Sequence, residues 1–236
     1  MIRTAGRQIR YSLIPSLWLT AALSLSGCAS TTTQVPNVFD VQRQVGRYID
    51  GGPYEADFAK VAADARAFLN ARAKQVTRPA IVLDIDETAL SNWPAYKVNG
   101  WVRIVSGDCN LETGQCGLRT WQERAQLKAL TPTLDLARQA KFLGVAVFFI
   151  TGRPARLREA TEKNLRQAGY EWEGLVLLPG DVTPSHVADD FKAPERKKIA
   201  DQGYTILLSM GDQESDLAGG FAERTFKLPN PVYFIP

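Results

Sequence analysis

From residue 55 onward, the hydrophobic and polar positions of the chain alternate between two kinds of segment. Four segments repeat their apolar residues at helical spacing and predict amphipathic helices: 55–73, 131–144, 154–169 and 193–203. Four short runs are almost wholly apolar and predict strands buried on both faces: 79–85, 145–150, 174–180 and 204–211. Strands of this kind, separated by helices, form a parallel sheet that helices cover on both sides. The pattern therefore predicts an α/β fold with a doubly wound, Rossmann-like parallel sheet.

Residues 91–129 interrupt this alternation. The segment is rich in tryptophan and glycine, and it separates the first predicted strand from the next helix. We predict a small insertion above the carboxyl edge of the sheet, where open α/β sheets bind ligands. Trp93, Trp101 and Trp121 in or beside it either stack on a substrate ring or form the small core of the insertion.

Polar residues follow three of the predicted strands. They are Asp84, Asp86 and Glu87 after the first, Thr151, Gly152 and Arg153 after the second, and Asp212 and Asp216 after the last. If the strands are parallel, these residues gather at one edge of the sheet. Carboxylates gathered in one place repel one another unless a cation joins them. Oxygen ligands suit a hard ion, so the pattern predicts a Mg²⁺ site.

The same residues suit the chemistry of phosphate esters. An aspartate can attack phosphorus and form an aspartyl-phosphate. A metal ion held by Asp84 and Asp212 would offset the charge of the phosphate oxygens. The hydroxyl of Thr151 and the backbone N–H groups near Gly152 are suited to holding the transferring group, and a lysine would complete the charge balance.

Four motifs resemble those of the haloacid dehalogenase (HAD) superfamily of aspartate-nucleophile phosphohydrolases. They are DIDETAL (84–90), FFITGR (148–153), Lys192 in FKAPERKKI, and GDQESD (211–216). Within that superfamily the chain resembles the class C non-specific acid phosphatases of subfamily IIIB, which are bacterial lipoproteins. Asn92 and Tyr96 match a pattern of that group. The resemblance covers most of residues 56–236 and implies a HAD-like sheet with a cap-like insertion after the first motif strand.

The resemblance implies a role for each motif residue. Asp84 would be the nucleophile, and Asp86 the acid that protonates the leaving group and then the base that activates water. A protonated Asp86 would fit an acidic pH optimum. The implied Mg²⁺ ligands are Asp84, Asp86 through its backbone carbonyl, Asp212, and Asp216 through water or by orienting Lys192. The implied phosphate-binding residues are Thr151, Gly152 and Lys192.

Other residues near the motifs have weaker assignments. Glu87 is predicted to close the loop after the first motif. Arg153 fits substrate binding and a solvated surface equally well. Arg196 lies four residues after Lys192, as in the pattern that the chain resembles, and it either faces solvent or pairs with neighbours of Glu195. Gln213, Glu214 and Leu217 depart from the family pattern and leave the substrate open. Nucleoside monophosphates and sugar phosphates both remain candidates.

The N-terminus has the features of an export signal. Residues 1–27 combine three arginines with an apolar stretch, and Leu25–Cys28 resembles a bacterial lipobox. We predict a signal peptide over 1–27, lipid on Cys28, a tether over 28–54 and the phosphatase domain over 55–236. An ordinary signal peptide and an uncleaved anchor are the alternatives. Ala29 after the lipid cysteine favours the outer membrane of a Gram-negative cell, on its periplasmic or its surface face.

Charge and cysteine content restrict the partners. The net charge of +3 comes from the three arginines of the predicted leader, so the mature chain would be neutral. A nucleic-acid partner, which would need a basic patch, is therefore not expected. Cys109 and Cys116 are either a disulfide, which an exported protein favours, or two free thiols. His186 is the only histidine, which argues against a zinc site.

The sequence thus predicts a Mg²⁺-dependent acid phosphatase that hydrolyses small phosphomonoesters through an aspartyl-phosphate. Two alternatives keep the same fold. One is a surface or binding lipoprotein without turnover, and the other is a phosphotransferase that passes the same phosphoryl group to an alcohol. The oligomeric state is left open.

Overall fold

The computed structural model describes residues 35–180 and 188–235 of the chain. The predicted signal peptide, Cys28 and His186 lie outside the described residues. The helices are α1 (Val38–Asp50), α2 (Pro53–Arg72), α3 (Trp93–Val98), α4 (Leu118–Glu123), α5 (Thr131–Phe142), α6 (Arg158–Gln167) and α7 (Ala188–Asp201). The strands are β1 (Pro79–Leu83), β2 (Leu90–Ser91), β3 (Lys128–Ala129), β4 (Ala146–Pro154), β5 (Gly174–Leu178), β6 (Thr205–Gly211) and β7 (Arg224–Lys227). Among the described residues, no helix is long and apolar enough to cross a membrane.

Five of the described strands form one parallel sheet in the order β5-β4-β1-β6-β7. The central strand β1 places Leu83 opposite Phe149 of β4 and Met210 of β6. Because the strands run in one direction, the carboxyl ends of β1, β4 and β6 meet at one edge. The predicted parallel α/β sheet is confirmed.

Alternate side chains of β1 enter two hydrophobic cores. Ile81 and Leu83 pack in the core that contains α2 and α5, where Phe58 is 1% exposed. Ala80 and Val82 pack in the core that contains α7, next to Phe191 and Ile199. Both faces of β1 are buried, so its residues are apolar without interruption.

Two short antiparallel strands close the base of the predicted insertion. Leu90 of β2 lies opposite Ala129 of β3, and Ser91 lies opposite Lys128. The chain between them contains α3, α4 and a disulfide that joins Cys109 to Cys116. The two strands therefore fix where the insertion leaves the sheet and returns to it.

The prediction of a tether over 28–54 is wrong for the part that the structure describes. This part contains α1 (Val38–Asp50), whose first turn is capped by Asn37, with Oδ1 accepting from Phe39 N at 2.9 Å. Near its end, Ile49 is buried. The small polar residues before position 37 suggested a tether, but the apolar residues after it recur at helical spacing and pack a helix against α2.

Other boundaries also differ from the predictions. Helix α7 begins at Ala188, before the predicted start at 193, and strand β4 continues to Pro154. Thr151, Gly152 and Arg153 therefore lie within a strand and not after it. The edge strand β7 was not predicted, because its four residues have no apolar run.

Candidate active site

Three buried aspartates meet at the carboxyl edge of the sheet. Asp84 directly follows β1, Asp212 directly follows β6, and Asp216 ends a short 3₁₀ turn, Glu214–Asp216. One carboxylate oxygen of each lies within 4.8 Å of the others. All three side chains are buried. The parallel sheet thus brings the first and last sequence motifs to one point.

Gly211 makes room for Asp216. A Cβ atom at position 211 would lie 2.2 Å from Asp216 Oδ2, much closer than van der Waals contact allows. The same oxygen accepts a hydrogen bond from Gln213 N at 2.8 Å. The glycine at the end of β6 is therefore a steric requirement of the carboxylate cluster.

Asp212 is held by two side-chain amides. Gln213 Nε2 and Asn230 Nδ2 each donate to its Oδ2 at 2.6 Å. Burial, together with the neighbouring Asp216, raises the pKa of Asp212 to about 6. Burial and the Asp216 carboxylate also raise the pKa of Asp84 well above its usual value. Both burial and the closeness of the carboxylates therefore disfavour the fully ionised cluster.

Lys192 of α7 is the cation that enters this cluster. Its Nζ donates to Asp84 Oδ1 at 2.7 Å and also to Asp216 Oδ1. Burial lowers the pKa of Lys192, but the Asp216 and Asp84 carboxylates outweigh burial and raise it. One ammonium group among three carboxylates leaves negative charge uncompensated. The donor set therefore fits a divalent cation bound by oxygen ligands.

Asp86 has a separate environment from the cluster. Arg153 donates to both of its oxygens, from Nη2 to Oδ1 at 2.7 Å and from Nε to Oδ2 at 3.1 Å. Asn92 Nδ2 and Gln122 Nε2 also donate to Oδ1, at 2.8 and 3.1 Å. Burial raises the pKa of Asp86, but the Arg153 guanidinium outweighs it and lowers the pKa to about 2. Asp86 is thus ionised in this arrangement, whereas the predicted acid role requires a proton.

Arg153 is one of the most deeply buried side chains of the described fold, at 0% exposed. Besides Asp86, it contacts Thr161 Oγ1 through Nη1 at 3.2 Å. Of the two readings that the sequence allowed, a solvated surface arginine is therefore wrong.

Thr151 and Gly152 lie on β4, at the same edge of the sheet as the three aspartates. Thr151 is 1% exposed, and its Oγ1 accepts from Arg153 N at 3.2 Å. Gly152 lines the same cavity as Asp84 and Lys192. The structure therefore brings the motif that contains Gly152 close to the motifs that contain Asp84, Lys192 and Asp212.

Glu87 and Asn92 organise the loop after β1. Glu87 Oε1 accepts from Asn92 N at 2.5 Å, and its Oε2 accepts from Asn92 Nδ2 and from the Tyr233 hydroxyl, both at 3.2 Å. Asn92 also donates to Asp86, so it links the two acids of the loop. The structure agrees with the prediction that Glu87 closes this loop, and it supplies a geometric reason for Asn92.

Arg196 does not face solvent, and its hydrogen-bond partners are backbone oxygens. Arg196 is 1% exposed, and its guanidinium donates to three backbone oxygens, those of Asp216, Ala218 and Gly220. It therefore holds the chain that follows the last motif. A position four residues after Lys192 on one helix face was the only sequence signal for this role.

The cavity around Asp84 and Lys192 has lining residues that the sequence did not reveal. They are Arg103, Leu118 and Arg119 from the insertion, Gln213 and Ser215 near Asp212, and Tyr233 and Ile235 from the C-terminal tail. Tyr96, matched only by resemblance, also lines it. Some of these residues lie on short helices, such as Arg119 on α4, and others lie in loops, such as Arg103 and Tyr233. Which of these segments covers the cavity depends on tertiary packing, which the hydrophobic periodicity of the sequence does not record.

The three tryptophans discussed above do not line this cavity. Trp93 packs edge-on against Tyr54, with ring centroids 5.2 Å apart, and Trp121 is buried in the core. Trp101 is half-buried and packs against the same core. In this structure the three tryptophans therefore pack the insertion against the main hydrophobic core.

The sheet order, the acids at its carboxyl edge and the buried lysine define a phosphatase fold of the HAD type. The chain matches the family model of the HAD superfamily, subfamily IIIB (Acid phosphatase), over residues 16–236. It therefore belongs to this acid phosphatase subfamily, and the resemblance on which the sequence analysis relied is confirmed.

Similar proteins agree with this membership. The chain is 36% identical over 193 residues to the Stem 28 kDa glycoprotein of Glycine max, covering 80% of this chain and 72% of that protein. It is 33% identical over 198 residues to Acid phosphatase 1 of Solanum lycopersicum, covering 81% and 73%. The fold is similar to the structure of the class C acid phosphatase from Bacillus anthracis, with a TM-score of 0.64 and 24% identity over 84% of this chain and 86% of that one.

Proposed function

We propose that this chain is a Mg²⁺-dependent acid phosphatase that hydrolyses small phosphomonoesters through an aspartyl-phosphate on Asp84. The observation that carries the proposal is the buried contact between Asp84 Oδ1 and Lys192 Nζ inside the aspartate cluster. A carboxylate beside a fixed cation at a ligand-binding sheet edge is positioned to attack a bound phosphoryl group.

The residues that would hold Mg²⁺ are Asp84, Asp212, Asp216 and the backbone carbonyl of Asp86. When bound, the ion supplies Lewis acidity that offsets charge on the phosphoryl oxygens. Lys192, the Thr151 hydroxyl and the Gly152 N–H hold the same oxygens from the protein side.

In the first half of the reaction, an Asp84 oxygen forms a bond to phosphorus while the ester P–O bond breaks. The leaving oxygen takes a proton from the Asp86 carboxyl group. In the second half, ionised Asp86 removes a proton from water, which attacks phosphorus and releases Asp84. The contact with Arg153 favours the ionised form of Asp86, which is the form that the second half requires.

The first half requires a protonated Asp86. A phosphate dianion bound in the cavity that Asp86 lines would place further negative charge beside this carboxyl group. Like charge disfavours the ionised form, so the pKa of Asp86 would rise from about 2 and allow it to carry a proton at acidic pH. The acidic working range that we propose follows from this effect.

The test is release of phosphate from an aryl phosphate by purified protein with Mg²⁺. Asp84→Asn keeps the side-chain volume and removes the nucleophile, so we expect activity to fall to background. Asp64→Asn, an exposed position on α2, is the matched control and should retain full activity. Undiminished activity in the Asp84 variant would end the proposal.

The rival without turnover has one observation in its favour, because the name of the Glycine max relative describes no catalytic activity. Failure of wild-type protein to release phosphate from a panel of esters, with several divalent ions and from pH 4 to 8, would favour it. Phosphotransfer is recognised separately, by a phosphorylated alcohol among the products.

We also propose that the protein is exported and anchored by lipid on Cys28 in an outer membrane. The support is the order of basic, apolar and small residues before Cys28. Labelling of full-length protein with a radioactive fatty acid in bacterial cells tests this. Cys28→Ser should abolish the label, and equal labelling of both proteins would contradict the anchor.

A further inference from the structure

We propose that this site selects phosphomonoesters whose leaving group carries a second anionic group, and that Arg119 and Arg103 bind that group. The inference rests on the proposed phosphatase function and specifies the class of its substrate.

Arg119 is a buried cation at the cavity without an anionic partner among the described residues. It is 9% exposed and lines the cavity together with Asp84 and Lys192. Its Nη1 donates to Gln122 Oε1 at 3.0 Å, and within the described chain no carboxylate lies at ion-pair distance from it. Burial lowers the pKa of Arg119, since taking a charge out of water is costly, and the nearby Asp86 carboxylate offsets only part of this effect. An anion supplied by a ligand would remove this cost.

The position of Arg119 points to the leaving group. The Gln122 amide that accepts from Arg119 donates through its Nε2 to Asp86 Oδ1 at 3.1 Å. The Gln122 side chain therefore links Arg119 to Asp86, the residue that protonates the leaving oxygen in the proposed mechanism. A substituent on the leaving group extends past Asp86 toward this guanidinium.

Arg103 adds a second cation to the same cavity. It is half-buried, its guanidinium carbon lies 5.3 Å from the centroid of the Tyr233 ring, and it has no carboxylate partner among the described residues. Arg103 is also one of the charges that lower the pKa of Arg119, so the two cations are close enough to repel. An anion that binds both guanidinium groups would offset the repulsion between them.

The other charged groups of the site pair with one another and not with Arg119 or Arg103. Three carboxylates face Lys192 and the proposed divalent ion, so that group is balanced. Asp86 is already paired with Arg153. Asp86 also attracts Arg119, and the buried Glu87 carboxylate accepts hydrogen bonds from Asn92 and Tyr233, but neither acid forms an ion pair with Arg119 or Arg103 in the described chain. The two guanidinium groups are therefore available to a carboxylate or phosphate on the leaving group.

A pair of esters of similar size tests this. In 3-phosphoglycerate a carboxylate stands where glycerol 3-phosphate has a neutral hydroxymethyl group. With Mg²⁺ present, we expect wild-type kcat/KM to favour 3-phosphoglycerate by roughly tenfold or more, as a charge-assisted contact would give. Arg119→Gln and Arg103→Gln should each lower this ratio several-fold, while Arg119→Lys should keep part of it.

Arg166→Gln is the matched control, because it removes one positive charge from an exposed position on α6 that does not line the cavity. It should leave the ratio unchanged. Arg103 is half-buried, so its variant should fold even if Arg119→Gln does not. Equal losses on both esters would mean that the arginines act on the transferring phosphoryl group, and this result would overturn the proposal, as would a wild-type ratio near one.

Binding separates this inference from the proposed function. Calorimetry with the Asp84→Asn protein gives dissociation constants for both esters without turnover. Tighter binding of 3-phosphoglycerate, weakened by the additional change Arg119→Gln, supports the anion subsite even if wild-type protein hydrolyses neither ester. Equal dissociation constants for the two esters would overturn it.

Discussion

Lys192 Nζ lies 2.7 Å from Asp84 Oδ1 inside the fold, although 108 positions separate the two residues in sequence. Both side chains are less than a tenth exposed. The pair therefore joins α7 to the end of β1 through charges that water screens poorly. In the proposed mechanism, it places the cation that neutralises a phosphoryl group beside the nucleophile.

Lys192→Met should remove this cation and preserve most of the side-chain volume. We expect kcat to fall by about a hundredfold or more, since a fixed donor to the transferring group is lost. The free energy of unfolding should drop by roughly 3–5 kcal/mol at neutral pH, because buried carboxylates lose their partner. Phosphate release and urea denaturation measure the two effects.

Lys198→Met is the control for that change, since it removes an exposed lysine from the same helix. It should alter neither quantity by a measurable amount. A Lys192→Met protein with kcat within threefold of wild type would contradict the assigned role.

Mg²⁺ should compete with protons for the aspartate cluster. Asp212 has a pKa of about 6 because burial and Asp216 disfavour its charge, so it is ionised above this pH and protonated below it. The apparent affinity for Mg²⁺ should therefore decrease as pH falls through 6. Thermal unfolding measured against Mg²⁺ concentration at pH 5 and pH 7.5 gives the two affinities.

In that experiment, Mg²⁺ at a hundred times its dissociation constant should stabilise the protein by about 2.7 kcal/mol. Asp212→Asn should abolish the stabilisation, whereas Asp64→Asn should retain it. Equal Mg²⁺ affinities at both pH values would show that Asp212 does not titrate against the metal.

Arg153→Gln should change how the free energy of unfolding depends on pH. The folded pKa of Asp86 is about 2, below its ordinary value of 3.8, so the ion pair stabilises the fold above pH 4. This contribution, about 2 kcal/mol, is lost as pH falls from 4 to 2. The difference in unfolding free energy between wild type and Arg153→Gln should therefore shrink over this range, as measured by urea denaturation at several pH values.

Arg158→Gln provides the comparison, because Arg158 forms an exposed ion pair with Glu162. Such a pair contributes at most about 1 kcal/mol. A pH-independent difference between wild type and Arg153→Gln would show that the guanidinium does not hold the pKa of Asp86 below its ordinary value.

Gly211→Ala should disrupt the carboxylate cluster without removing any charge. The new Cβ would lie 2.2 Å from Asp216 Oδ2, so Asp216 must move. We expect loss of Mg²⁺ binding and a decrease in stability of about 1–3 kcal/mol, as overpacking of a well-packed site produces. Calorimetric titration with Mg²⁺ and thermal unfolding measure both.

Gly107→Ala is the appropriate comparison, since no atom lies within 4 Å of the Cβ position there and only the positive φ of 107° is strained. That variant should lose some stability and keep its Mg²⁺ affinity. Normal Mg²⁺ affinity in the Gly211→Ala protein would show that the carboxylate cluster does not need the space that Gly211 leaves.

The apolar runs and the acids that follow them are sufficient to predict the sheet and the edge at which its acids lie. An apolar run such as 79–83 can only be buried on both faces, and the carboxyl ends of parallel strands must share an edge. These two constraints are enough to place Asp84 and Asp212 together. The motif containing Lys192 was found by resemblance, and its proximity to Asp84 is a result of the structure.

Tertiary structure decided the partners of each charge. Arg153 could not be assigned from sequence because an arginine after a strand is compatible with solvent or with burial, and only the position of Asp86 makes its burial favourable. Arg119 and Tyr233 reach the cavity from the insertion and from the C-terminal tail. Their approach depends on the path of loops, which hydrophobic periodicity does not encode, because periodicity records which face is buried and not which distant segment covers it.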